Sequence, residues 1–236
     1  MNPVQILTVE SLLDELRAHP VNTNQFFVEF RDQFLTTDQL RRFIKQYHFF
    51  CFRFVKILEG LLYHTPLEAL DMRIELTKTL YSELGSGITD QAHVRYLERF
   101  AQSLGIQESD LMQTRPIPEV DQYLKVLDRL FLQSDFLRAL GAELAVETTA
   151  ISEFRFFLPG LQKYSQFTEQ DLLFFSMHLQ EEAHHSDWLT DAVRKTATSL
   201  EDLEHVAIGA RETADAWHQF WLGMYEKVFT PANQES

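Results

Sequence analysis

The segment DLLFFSMHLQEEAHHSDWLTDAV, residues 171–193, constrains this chain more than any other. Advanced as a helix at about 100° per residue, it lines up Asp171, Phe174, Phe175, His178, Glu182, His185, Leu189 and Val193 in one stripe. A helix buries such a stripe, yet the middle of this one carries two imidazoles and a carboxylate in the order HxxxExxH. Gln180, His184 and Asp187 point to the other side. Burying three such groups without partners is costly, because each needs a hydrogen bond or a counter-charge. A core histidine pair tied to a buried glutamate is one solution. A metal ion is the other, since neutral His and ionised Glu are good ligands for iron, manganese or zinc.

The rest of the chain offers helices to surround that segment. Only 8 Gly and 7 Pro interrupt 236 residues, which favours long helices over many short strands. Strand-period alternation is absent, as is any repeat of roughly 20–50 residues, so the expected fold is an all-α bundle, one domain over residues 1–236. Thr36-Thr37-Asp38 caps a long helix over 39–63, with Leu40, Phe43, Ile44, Tyr47, Cys51, Phe54, Leu58 and Leu61 inward. A shorter helix before it, capped by Asn22 or Thr23, carries Phe26 and Phe27. Pro66 opens the next helix, which stops at Leu84-Gly85 and ends its inward row on Glu83. After a glycine turn, His93 begins another row with Leu97 and Phe100. Residues 119–132 and 134–158 read as two helices or one bent one, stopped by Pro159-Gly160. Their inward row holds Leu140, Glu143, Glu147, Ile151 and Phe154, so two glutamates one turn apart occupy a core face. A Ser199 capping box starts the last helix, and residues 230–236 are expected to fray.

Charge and cysteine usage narrow the function. A formal charge of −14 argues against nucleic acid or an anionic membrane as partner. The one cysteine, Cys51, excludes an intrachain disulfide and fits a reducing cytoplasm. The N-terminal residues lack a basic region followed by an apolar run, so no signal peptide is expected. The most apolar segment is broken by Arg53, Lys56 and Glu59 and is too charged to span a bilayer.

Helix phase thus places Glu83, His93, Glu147, His178, Glu182 and His185 on inward faces of four helices. Three carboxylates and three imidazoles suit a non-haem dinuclear centre, with charges that nearly offset two divalent cations. Phase prefers Glu182 to Glu181 and His185 to His184, whereas Glu143 and Glu147 are not separated by periodicity.

QLRRFIKQYHFF, ELGSGITDQAH, ALGAELAVE and HLQEEAHH, in that order, make the chain resemble the haem-oxygenase-like di-iron oxidases and oxygenases. These form a branch of the TenA/PqqC-type helical fold that includes the chlamydial protein associating with death domains. The resemblance implies a bundle of about seven main helices with an internal site. It implies two irons on Glu83, His93, Glu147, His178, Glu182 and His185, with O₂ as co-substrate and no haem. Glu182 stands where the group often has Asp, and the Glu83–His93 spacing is one that varies in it. The separation of Glu147 from the HxxxExxH helix fits the group better than that of Glu143, which leaves Glu143 in a supporting place, with Glu181 and His184 as alternative ligands. The implied reaction is oxidation of a small organic substrate: an amine, an amino-acid derivative or a fatty acid. An electron donor is needed for multiple turnover, and homodimerisation is left open. Phe26, Phe27, Tyr47, Phe54 and Trp188 are candidate pocket walls. Two rivals are a metal-free TenA/PqqC-like enzyme, for which Cys51 would be the nucleophile, and a protein-interaction module with an exposed apolar patch.

Overall fold

The computed structural model describes residues 7–230, and within them the side chains of all but residues 180–187. Among the described residues ten α-helices follow one another: α1 (Val9–Ala18), α2 (Gln25–Asp32), α3 (Thr37–His64), α4 (Leu70–Glu83), α5 (His93–Ser103), α6 (Glu108–Met112), α7 (Pro118–Leu132), α8 (Phe136–Gln162), α9 (Leu173–Thr196) and α10 (Leu200–Phe229). No strand occurs among the described residues. Seven of the helices, α3, α4, α5, α7, α8, α9 and α10, have eleven residues or more.

Local signals start several of them. The Thr8, Thr36 and Ser199 hydroxyls accept from backbone N–H groups inside α1, α3 and α10, and each belongs to a reciprocal capping box. The second short helix is capped by Asn24 rather than Asn22 or Thr23: its Oδ1 accepts from Phe26 N at 2.9 Å. Residues 133–135 separate α7 from α8, with Asp135 capping the latter through Arg138 N, so these are two helices and not one bent one.

Two boundaries depart from expectation. α4 begins at Leu70, because 66–69 form a turn in which Ala69 N donates to Pro66 O. α8 runs through Pro159 to Gln162. The missing N–H of Pro159 forfeits only one helical bond near the end, and packing holds the final turn. Gly160 lies so close to α2 that an added Cβ would be 2.8 Å from the Phe30 carbonyl oxygen. Leu161 beside it is fully buried.

α8 is the axis of the molecule. It packs on α9, α10, α7 and α2. Its crossing with α10 is tight: a Cβ on Gly141 would be 1.9 Å from the Val206 carbonyl oxygen, and one on Gly209 would be 2.0 Å from that of Arg138. Reciprocal glycines therefore let the two backbones meet. An aromatic core of Phe26, Phe27, Phe30, Phe43, Phe157 and Trp221 fills the space beside this crossing. The connection after α5 contains α6 and is strapped to α3, where buried Gln46 donates to Arg115 O and accepts from Ile117 N. No helix of the described residues is long and apolar enough to cross a membrane.

Candidate metal centre

α4 ends on Glu83 and α5 begins on His93, so the turn between them sets their separation. Gly85 and Gly87 take φ of 83° and 89°, left-handed values that L side chains resist. Thr89–Gln91 then forms one 3₁₀ turn that leads into α5. Glu83 Oε1 lies 3.1 Å from His93 Nδ1. From α9, His178 brings Nε2 to 4.0 Å from the same Glu83 oxygen. One ligand atom from each of the three residues lies within 4.8 Å of the other two.

The orientation of His178 suits a ligand. Its Nδ1 is 2.7 Å from the Phe174 carbonyl oxygen, one turn earlier. A carbonyl only accepts, so Nδ1 carries the proton and Nε2 keeps its lone pair toward Glu83. The ring is clamped by stacking on Phe154, at 4.8 Å between centroids, and by Phe174 at 4.3 Å. On His93 the other nitrogen, Nε2, is 3.5 Å from the Ser82 hydroxyl.

α8 contributes the remaining acids. Glu147 is nearly buried and lines the same cavity as Glu83, His93 and His178. Glu143, one turn earlier, is fully buried, and both its carboxylate oxygens are without a hydrogen-bond partner among the described residues. Burial, then the charges of Glu147 and Glu83, push its carboxyl well above the ordinary range. Glu182, His185, Glu181 and His184 also sit on α9, but their side chains lie outside the described residues.

The cavity, about 90 Å³, continues from these groups between Phe50, Phe54, Phe154, Phe174 and Trp217. Of the expected wall residues, Tyr47 and Phe54 line it. Phe26 and Phe27 do not: both are packed into the aromatic core against Trp221, because α2 faces away from α4 and α5. Trp188 borders a separate surface groove with Pro66, Leu70 and Phe136. Cys51 lines the cavity, and burial followed by the charges of Glu153 and Glu83 pushes its thiol well above its ordinary value. Such a thiol is a poor nucleophile.

Two buried polar groups escaped the helix-phase reading. Glu153 lies off the inward row of Glu143 and Glu147, yet it is buried and lines the cavity, with Tyr47 Oη donating to its Oε1 at 2.6 Å. Burial raises its pKa to about 8, against the lowering by Tyr47. The available signal was α8 itself, apolar around most of its circumference and hence buried on more than one face. Buried His48 lies with Nε2 3.5 Å from Glu98 Oε1, and Arg95 donates to Glu98 at 2.6 Å, tying α3 to α5 behind the centre. Burial pushes the Glu98 carboxyl up, but the nearby His48 imidazole and the hydrogen bond from Arg95 outweigh it and hold it below its ordinary value.

The fold and site thus define an all-α bundle with a Glu–His–His cluster between its helices, and comparison with known proteins names the class. The profile of the iron-containing redox enzyme family matches residues 41–218, and the chain belongs to that family. It is 24% identical over 228 residues, 92% of this chain and 89% of the relative, to the 4-aminobenzoate synthase of Nitrosomonas europaea. Among solved structures it resembles a CADD-like protein of unknown function from Nostoc punctiforme, with a TM-score of 0.78 at 22% identity, over 94% of this chain and 99% of that one. A TenA homologue from Pseudomonas syringae pv. tomato superposes with a TM-score of 0.72 at 15% identity, over 94% and 91%. The fold is thus the haem-oxygenase-like helical bundle.

Proposed function

We propose that this protein is a non-haem di-iron enzyme that uses O₂ to oxidise a small organic molecule in the internal cavity. The observation that carries the reading is the convergence of Glu83, His93 and His178 on one partly buried point, with Glu147 and Glu143 beside it. Glu143 has no hydrogen-bond donor among the described residues, and neighbouring carboxylates raise its energy further. Cations at this point would offset all of these charges together. Family membership supports iron as the metal.

Glu83, His93, Glu147 and His178 would hold the irons, together with Glu182 and His185, which helix phase puts on the same face of α9. Irons bound there supply the electron transfers that couple O₂ reduction to substrate oxidation. The chain's own residues do the rest. The Phe174 carbonyl holds the His178 Nδ1 proton and so keeps Nε2 free to ligate. Phe154 and Phe174 fix that ring, and with Phe50, Phe54 and Trp217 they keep the cavity apolar and short of water. Glu143 can stay protonated at its buried carboxyl until cations enter. The likeness to a 4-aminobenzoate synthase supports a small substrate, and an external electron donor is required for repeated turnover.

The raised Cys51 thiol disfavours it as the nucleophile of the metal-free rival, although the likeness to a TenA homologue fits that rival's fold. An interaction module would need exposed apolar surface, and Leu67, Leu70 and Ile74 do face solvent. Covering them would leave the buried carboxylates uncompensated all the same. Anaerobic titration with Fe(II) tests the proposal. Close to two irons per chain, followed by O₂ consumption on mixing, is the expected result. Folded protein that binds no iron above background removes it.

A further inference from the structure

Among the described residues that line the cavity, Glu153 is the one acid whose place the metal centre does not explain. It lies six residues beyond Glu147 on α8, a displacement of about 9 Å along the helix axis. Tyr47 Oη satisfies Oε1, whereas Oε2 is buried and without a hydrogen-bond partner among the described residues. A buried carboxyl with one idle oxygen in the wall of a cavity is destabilising unless something binds it. Its surroundings otherwise suit an organic ligand, since Phe50, Phe54, Phe154, Phe174 and Trp217 line the same cavity.

Charge decides what that ligand carries. The cavity lining includes Glu83, Glu147 and Glu153 but neither Lys nor Arg. The eight residues whose side chains are not described, QEEAHHSD, contain neither as well. An anionic end group would meet neither Lys nor Arg here, and the imidazoles of His93 and His178 already face Glu83, whereas an ammonium would find a carboxylate already oriented by Tyr47. Resting on the di-iron reading only for the fate of the bound molecule, we infer that Glu153, positioned by Tyr47, is the anchor for the amino group of a small, largely apolar primary amine whose other end points to the Glu83–His93–His178 cluster. With the cavity empty, burial keeps the Glu153 carboxyl protonated near neutrality. With an ammonium against Oε2, the carboxyl is ionised and the opposite charge offsets the cost of burying it.

The test is equilibrium binding of benzylamine, benzyl alcohol and benzoate to the full-length metal-free protein, measured by calorimetry at neutral pH. Benzylamine should bind at least tenfold tighter than either of the other two. Glu153→Gln keeps an acceptor for Tyr47 and should weaken benzylamine by roughly 30-fold or more, with benzyl alcohol little changed. Glu83→Gln should leave benzylamine affinity within a few-fold, which separates the anchor from the acids of the metal centre. Circular dichroism confirms that both variants are folded, and iron stoichiometry should be the same in Glu153→Gln as in the parent. The inference is overturned if benzoate is preferred, if no probe binds, or if amine affinity follows Glu83 and ignores Glu153. Since the amine is measured without iron and iron is measured without amine, failure of the anchor and failure of the di-iron reading give different results.

Discussion

At the scale of single residues, the centre depends on side chains whose roles are set by one neighbour each. The Phe174 carbonyl selects the tautomer of His178, and burial beside Glu147 and Glu83 selects the protonated form of Glu143. Those assignments separate the two α8 acids. Glu147 borders the cavity, so Glu147→Ala is expected to remove one of two irons in an anaerobic titration. Glu143 is fully buried and placed to support the others, so Glu143→Ala should weaken affinity by about 10–100-fold with the stoichiometry recoverable. If Glu143→Ala abolishes the second iron and Glu147→Ala does not, the two roles are exchanged. On α9 the helical phase of the sequence favours His185 over His184 as a ligand of the proposed centre. His185→Ala should therefore lower iron content far more than His184→Ala, and equal losses would contradict that phase.

Among elements, the turn joining α4 to α5 matters most, because Glu83 and His93 sit at its two ends. A Cβ on Gly85 would be 2.3 Å from the Ile88 carbonyl oxygen and 2.4 Å from Ala92 N, both backbone atoms, and φ there is already left-handed. Gly85→Ala should cost roughly 1–3 kcal/mol in urea denaturation and also lower iron affinity, since relieving the clash moves His93 relative to Glu83. An unchanged iron titration would show that the turn does not set the ligand spacing. The α8–α10 crossing makes a contrasting case. Gly141→Ala drives a methyl into the Val206 carbonyl, so it should destabilise the fold at least as much.

For the whole molecule, the buried acids couple stability to pH. The Glu153 pKa of about 8 lies above its ordinary 4.5, so between those values the folded chain holds a proton that the unfolded chain has released. Its contribution is fully present below about pH 4.5 and is lost as pH rises through 8. The full shift corresponds to at most about 5 kcal/mol. Metal-free Glu153→Gln should therefore gain stability over the parent at pH 8.5 relative to pH 5, as read by denaturant midpoints at the two pH values. Parallel pH profiles for the two proteins would show that this carboxyl is not held neutral. In the proposed reading iron would act on the same balance by mass action: ions that bind only the folded chain should raise its melting temperature with concentration.

Local sequence signals were enough for an all-helical chain, for the cap at Thr36 and the capping box at Ser199, and for the inward placing of Glu143, Glu147 and His93, because helix phase and caps are local properties of a few turns. It could align Glu83, His93 and His178 with their helices but not measure the gap between helices, which the glycine turn and the packing of α9 bring within 4.8 Å. Local rules also ended α8 too early at Pro159, where packing on α2 outweighs one lost hydrogen bond. They put Phe26 and Phe27 at the cavity and overlooked Glu153, because a stripe model allows a helix one buried face. α8 is enclosed by several helices at once, so residues off its main stripe are buried too, and only the assembled bundle decides which of them meet the cavity.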